Sequence, residues 1–113
     1  MDELVVEIHV PLVADPRVPE DDYAFPWIEV IDEFVFEREQ QGEAEVFDDS
    51  EEFGDVYVFF ISGADEDTLL SIASRAAVLD GVPVGAYAMV THDEAGSFGL
   101  GRRVDLPLPR ERD

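Results

Sequence analysis

The sequence contains neither cysteine nor lysine, and the first absence excludes several kinds of chemistry. Without cysteine there is no disulfide bond, no thiolate metal site and no cysteine nucleophile. The absence also fits a reducing compartment such as the cytoplasm. Because lysine is missing, all seven basic residues are arginine, a bias typical of GC-rich coding sequences such as those of many bacteria.

Long apolar runs are missing as well. No stretch approaches the roughly 18 to 20 residues that a helix needs to span a bilayer. The chain begins Met1-Asp2-Glu3, which is acidic where a signal peptide is basic. The sequence therefore predicts a soluble cytoplasmic protein with no membrane contact.

Acidic side chains are what the chain has in excess. It carries 28 Asp and Glu against seven Arg, for a formal net charge of −21. Such a charge repels nucleic acid and anionic lipid, and it attracts basic proteins. Four of the arginines fall in residues 102–113, which we interpret as a tail that folds back on the acidic body or pairs with another copy. Solubility, or adaptation to high salt, is the other reading of the excess acid.

The length and the apolar content predict a single domain, residues 1–113. With 46% hydrophobic residues among 113, the chain can build one core despite its charge. The clearest element is 55–61, a β-branched and aromatic run between Gly54 and Ser62-Gly63, which predicts a strand buried on both faces. The other predicted elements are strands at 4–13, 43–47 and 85–91, an optional edge strand at 100–106, and helices at 25–41 and from Asp65 to about residue 80.

The order of these elements, β-α-β-β-α-β, predicts an α+β fold of the ferredoxin-like kind. Right-handed crossovers then give a four-stranded antiparallel sheet in the order 4-1-3-2, with both helices on one face and the optional strand as a fifth at an edge. The other face of such a sheet is open, and either alternating set of side chains in 55–61 would leave apolar groups on it.

In two of the predicted elements, the residue pattern indicates which side faces the core. In the first strand, Val6 and Ile8 alternate with Glu7 and His9, so the even positions should face the core and the odd ones a wetter side. In the first helix, the predicted buried stripe consists of Trp27, Val30, Ile31 and Phe34, with Ile28 and Val35 beside it. Phe36 falls almost opposite that stripe, among acids. It is therefore either an exposed contact residue or a residue covered by another part of the chain.

Catalytic and metal-binding motifs are not apparent. The acidic runs 48–52 and 65–67 do not match calcium-loop spacing, and Gly99-Leu100-Gly101 lacks the rest of a phosphate-binding loop. His9 and His92 should lie at opposite ends of neighbouring strands, as packing or surface residues. We therefore predict no catalytic residue, no cofactor and no metal. A deep pocket joining Glu7, His9 and Tyr87 would instead indicate an enzyme.

A small acidic domain without these motifs is suited to binding a basic protein. Bacterial immunity proteins, which neutralise toxins, have this character, and a toxin is one such partner. An alternative hypothesis is a homodimer formed through the open sheet face, burying Tyr57, Phe59 and Tyr87, with a small-molecule-binding or regulatory role. The predicted partner-binding residues lie on the first helix (Glu29, Asp32, Glu33, Phe36) and in the charged connection after the second strand (Asp48, Asp49, Glu51, Glu52).

Overall fold

The computed structural model describes residues 4–13, 25–79, 81–92 and 102–106. They form five strands and two helices. In chain order the elements are β1 (Leu4–Pro11), α1 (Trp27–Gln40), β2 (Glu45–Phe53), β3 (Val56–Ser62), α2 (Glu66–Ala77), β4 (Tyr87–His92) and β5 (Arg102–Asp105).

One sheet contains all five described strands, in the order β2-β3-β1-β4-β5. Every neighbouring pair is antiparallel. The predicted α+β class with an antiparallel sheet is confirmed. The optional strand at 100–106 is present as β5, so the described part of the sheet has five strands, with β1 at its centre.

β1 is buried on both faces. Val6, Ile8 and Val10 belong to the core that also contains the buried residues of both helices, as the alternation predicted. The expectation that the odd positions face a wetter side is wrong, because Glu7 is only 4% exposed and His9 only 1%. The two polar side chains can be buried because they bond to each other, as described below.

The register decides which side of β3 meets the helices, a choice that the sequence left open. Phe59 pairs with Ile8, and Tyr57 pairs with Val10, so the odd residues of β3 lie on the helix side. Tyr87 pairs with His9 and lies on the opposite face. The set Tyr57, Phe59 and Tyr87, expected together in a dimer interface, is therefore divided between the two faces.

α1 is rotated slightly from the predicted orientation. Its buried residues are Trp27, Ile28, Ile31 and Val35. Val30, predicted in the stripe, is 41% exposed, because the buried side is centred nearer to Ile28 and Val35 than to Val30. The indole N–H of Trp27 donates a hydrogen bond to the carbonyl oxygen of Val13 at 3.1 Å, which ties the start of the helix to the end of β1.

α2 follows its predicted pattern closely. The Asp65 carboxylate caps the helix by accepting a hydrogen bond from the Thr68 backbone N–H at 2.8 Å, and this bond lowers the pKa of Asp65. Leu69, Ile72 and Ala73 are fully or almost fully buried, and the small side chain of Ala73 lets the helix approach the sheet closely.

The two helices are joined by a cluster of charge and aromatic contacts. The Phe34 ring lies between the guanidinium groups of Arg38 and Arg75, at 4.9 and 5.2 Å from its centroid. Both arginines also reach Glu43, at 3.2 and 3.6 Å. This arrangement combines two cation–π contacts with two ion pairs and fixes α1 against α2.

β2 is longer than predicted. The charged connection expected at 48–52 is wrong, because these residues belong to β2 and pair with β3, with register shifts between Val46 and Asp48 and between Asp48 and Glu51. A two-residue turn at Gly54-Asp55 joins the strands, and Gly54 has φ +64°. Acidic residues are compatible with this strand because it lies at the edge of the described sheet, where the carboxylates of Asp49, Glu51 and Glu52 reach water.

Burial of Ile8 on the helix side gives a direct test of the core. Ile8 is 0% exposed, so Ile8→Ala should lower the free energy of unfolding by about 2 to 5 kcal/mol through lost contacts and the cavity left behind. Val84, which is 93% exposed, supplies the matched aliphatic control, and Val84→Ala should have little effect. Urea denaturation measures both, and equal effects would contradict the position of β1.

The Asp65 cap predicts a defined pH dependence. Because the pKa of Asp65 is lower in the folded state, its contribution to stability is present above the ordinary value of 3.8 and is lost as the pH falls through the folded-state pKa. Asp65→Asn keeps a capping side chain that does not titrate. Wild type should therefore lose melting temperature relative to Asp65→Asn between about pH 7 and about pH 3. A constant difference would show that the cap carries no charge contribution.

Candidate functional site

α1 and β2 lie side by side, and two hydrogen bonds fix their contact. The Ser50 hydroxyl donates to Oδ1 of Asp32 at 3.2 Å, and the Val46 backbone N–H donates to Oε2 of Glu39 at 3.2 Å. Acids that are far apart in the sequence are thus brought onto one continuous surface.

The helix contributes an exposed aromatic ring among acids. Phe36 is 55% exposed, on the side of α1 away from the core. Asp32 and Glu33 precede it by four and three residues, which makes them its neighbours on the helix surface, and Glu29 lies one turn before them. All three acids are exposed.

The strand contributes acids on both of its sides. Glu52 pairs with Tyr57 and so lies on the helix side of the sheet, whereas Glu51 pairs with Val58 and lies on the opposite side. Asp49 is exposed, and Asp48 has its backbone in β2 but a side chain outside the described set. The structure therefore separates Glu51 from the helix acids. We call the remaining group the α1–β2 surface: Glu29, Asp32, Glu33, Phe36, Asp49 and Glu52.

The surroundings of Asp32, including the nearby negative charges, change its pKa. Although Asp32 as a whole residue is exposed, its carboxyl group is partly buried against β2, and this partial burial raises its pKa above the ordinary value of 3.8. The Ser50 hydrogen bond opposes this effect, while repulsion from Glu29 and Asp49 adds to it. Asp32 thus connects the helix acids electrostatically with the strand acids.

The described arginines are paired elsewhere. Arg38 and Arg75 bond to Glu43, Arg102 to Glu66 of α2, and Arg103 to Asp105. The first residue of the predicted tail 102–113 therefore contacts the acidic body, while 107–113 lie outside the described residues. Within the described ranges, no arginine forms an ion pair with these acids of the α1–β2 surface: Glu29, Asp32, Glu33 and Glu52.

A second group of polar side chains lies on the sheet face away from the helices. Nε2 of His9 is 2.9 Å from Oε1 of Glu7, and the His9 ring stacks on Tyr87 with centroids 4.8 Å apart. The Arg103 guanidinium lies over the Tyr87 ring, 4.0 Å from its centroid. The sequence signal for the first contact is the spacing of Glu7 and His9 by two residues, which puts both on one face of a strand.

The burial of Glu7 and His9 indicates the role of this second group. Both Glu7 and His9 are nearly inaccessible, and Nδ1 of His9 has no hydrogen-bond partner among the described residues. His9 is therefore a packing residue, one of the two readings expected from the sequence. His92 pairs with Leu4 and His9 with Tyr87, so the two histidines lie at opposite ends of the β1–β4 ladder.

The clefts in the described part of the chain include two small ones, and neither of these involves Glu7, His9 or Tyr87. One, of about 210 Å³, has an apolar lining contributed by the end of α2, the segment before β4 and Leu106. The other, of about 30 Å³, lies between α1 and β2 beside Asp32 and Ser50. Pockets for drug-sized ligands are commonly about 300 Å³ or larger, so both clefts are small by that measure.

Comparisons with other proteins do not assign a class. No known protein family, curated protein or solved structure matches the chain. In the described ranges, no group of three or more histidine, aspartate or glutamate side chains is arranged to hold a metal ion. No described helix is both long and apolar enough to cross a bilayer. The α1–β2 surface is therefore the candidate functional site.

Asp32 gives a test of the electrostatics of this surface. Its raised pKa means that the ionised form is disfavoured in the folded state. Ionised Asp32 therefore destabilises the wild-type fold above the folded-state pKa, and this destabilisation is absent below the ordinary value of 3.8. Asp32→Asn can still accept from Ser50 but does not ionise. This variant should be more stable than wild type at about pH 7, with the difference shrinking toward about pH 3.

The Asp65→Asn variant is the control for this experiment, because its dependence on pH has the opposite sign. Thermal melts of both variants in the same buffers separate the local effect from the general titration of a protein with 28 acids. A stability difference for Asp32→Asn that does not change with pH would contradict the proposed coupling between α1 and β2.

Proposed function

We propose that this protein is a binding domain that captures a basic protein, and that the α1–β2 surface is its contact site. The observation that carries the proposal is Phe36, a large aromatic side chain that is 55% exposed and lies among acids. Solvent-exposed aromatic rings are costly to leave in water and are enriched at the energetic centres of protein interfaces.

The two kinds of residue on this surface have different roles in binding. Acids accelerate the encounter with a basic partner and select against acidic ones. They contribute less to affinity, because exposed ion pairs are screened by salt. The affinity comes from desolvating the Phe36 ring in a pocket of the partner, with the surrounding acids excluding water at the rim.

The ion pairs of the described arginines support this assignment. Arg38 and Arg75 neutralise charge between the helices, and Arg102 neutralises Glu66 on α2. Within the described ranges, Glu29, Asp32, Glu33 and Glu52 receive no such compensation from an arginine. A positively charged partner would supply it.

A toxin with a basic surface is one partner of this chemistry, so an immunity role in the cytoplasm of a bacterium is the specific form of the proposal. Proteins that bind or cleave nucleic acid need a basic surface, and an acidic binding domain can block it by occupying the same contacts. The proposal excludes a catalytic role and nucleic acid or membrane as partners. Its support comes from the charge and from Phe36.

The ferredoxin-like class is likewise a proposal about the fold. The neighbour pairs β2–β3, β3–β1 and β1–β4 support it, together with helices that share one core against the same side of β1. β5 is an addition to that arrangement at the β4 edge.

The homodimer hypothesis receives no support from the second sheet face. Val5, His9 and Val58 on that face are at most 2% exposed within a single chain, so they are not available to a second copy. The molecular mass in solution at micromolar concentration tests the hypothesis independently.

Affinity capture tests the proposed function. The protein is immobilised and incubated with lysate of its source organism at low and moderate salt, and the retained proteins are identified by mass spectrometry. One stoichiometric basic protein that survives moderate salt is the expected result, because desolvated aromatic contacts are not screened. Retention of many basic proteins that are all lost as salt rises would overturn the proposal.

The role of Phe36 gives a sharper prediction with the captured partner. Phe36→Ala should weaken binding by about tenfold or more, since it removes the apolar anchor. Its free energy of unfolding should change by about 0.5 kcal/mol or less, as for other exposed residues. Val78→Ala is the control, because Val78 is 62% exposed just after α2 and outside the α1–β2 surface.

Calorimetry measures the affinity, and urea denaturation measures the stability. If Phe36→Ala unfolds the protein, Phe36 belongs to the core and the site is wrongly assigned. If Val78→Ala weakens binding as much as Phe36→Ala, the contact surface lies elsewhere.

A further inference from the structure

The outer edge of β2 carries a more specific inference about how the partner is held. We propose that an extended, basic segment of the partner adds to the sheet as a new strand along β2. The inference rests on the proposed function and deepens it, because it specifies the chemistry and the conformation of the bound segment. Strand addition would use backbone groups of β2, whereas the proposed contact at Phe36 uses a side chain.

The outer side of β2 has no strand neighbour among the described residues. β2 is the last strand at its end of the described sheet, with β3 as its only strand neighbour there. In an antiparallel strand, alternate residues direct their N–H and C=O groups toward the neighbour and away from it. The outward groups of an edge strand are a template for another strand.

Two observations show which groups point outward. The Val46 N–H donates to the Glu39 side chain rather than to β3, so it lies on the outer side. At the other end, Phe53 and Val56 are the partners that flank the turn Gly54-Asp55 and close the hairpin. In a two-residue hairpin this closing pair exchanges backbone hydrogen bonds, so the next residue along the strand, Glu52, directs its N–H outward.

The side chains of β2 select the charge of the incoming strand. Five of its nine residues are acidic, namely Glu45, Asp48, Asp49, Glu51 and Glu52, and none is basic. Opposite charges at facing positions stabilise a strand pair, and like charges destabilise it. A segment with lysine or arginine at alternate positions would therefore be favoured.

Self-association along the same edge is disfavoured by the same charges. Two copies of β2 would place acids opposite acids in most registers, and the two register shifts bend the edge away from a flat template. The edge is thus protected against a second copy while it remains suited to a basic strand.

Apolar side chains complete the match. Phe47 and Phe53 are 39% and 45% exposed, so an incoming strand that alternates basic and apolar residues would gain contacts with them as well as with the acids. Cross-strand aromatic–aliphatic pairs of this type stabilise a sheet. The bound segment is therefore predicted to alternate lysine or arginine with an aliphatic residue.

The test uses a synthetic peptide of alternating lysine and valine, nine residues long like β2. A matched peptide carries backbone N-methyl groups at every second residue, which preserve its charge and side chains but remove hydrogen-bond donors. The first peptide should bind at least about tenfold more tightly than the second, because strand addition depends on main-chain hydrogen bonds. Equal binding of both peptides, or binding of neither, would overturn the inference.

Variants of Glu52 locate the contact. Glu52→Pro removes the outward N–H, and Glu52→Ala removes the same negative charge but keeps the N–H. The proline variant should bind the lysine–valine peptide at least about fivefold more weakly than the alanine variant, provided that both melt cooperatively. Slower hydrogen exchange of the Glu52 amide on adding peptide to wild type is the second readout, and it does not depend on how the variants fold.

These outcomes separate this inference from the proposed function. A basic partner that is captured from lysate through Phe36, with no protection of the Glu52 amide, would remove strand addition and keep the binding role. An increase in mass to that of two protein chains would instead identify a second copy as the occupant, and would overturn the inference.

Discussion

The rest of the structure depends on the burial of β1 on both faces. One face packs Ile8 against both helices, and the other places Glu7 and His9 where water does not reach them. Burying a carboxylate is costly unless its hydrogen-bonding capacity is met, and the imidazole of His9 meets part of it at 2.9 Å. The stack of His9 on Tyr87 then extends the same contact to β4, so the polar pair is part of the packing between strands.

A second constraint is the unequal distribution of the few positive charges. The described arginines hold the helices together around Phe34 and Glu43, and they connect β5 to Glu66 of α2 and to Tyr87 of β4. Their positions give a structural role to the few basic residues, and within the described ranges none of them forms an ion pair with Glu29, Asp32, Glu33 or Glu52. A net charge of −21 would by itself suggest only a diffuse field, whereas this arrangement concentrates negative charge around the exposed ring of Phe36.

The candidate site can be predicted in part from local patterns in the sequence. Helical periodicity identified Phe36 as the aromatic opposite the buried stripe, since that inference needs only 100° per residue. The same periodicity misplaced Val30, because the choice between adjacent stripes depends on where the sheet lies. The acidic composition of 48–52 disfavours a strand and predicts a connection, but pairing with the strongly β-forming segment β3 overrides that preference.

The sequence by itself determined the order of helices and strands, the cap at Asp65, the buried stripe of α2 and the apolar character of β3. Each of these follows from local spacing and side-chain chemistry. Only the tertiary structure decided which side of β3 meets the helices, that Glu7 and His9 are buried together, and that Asp32 lies against Ser50. These features depend on strand register and on contacts between residues distant in the chain. Local periodicity carries no information about either.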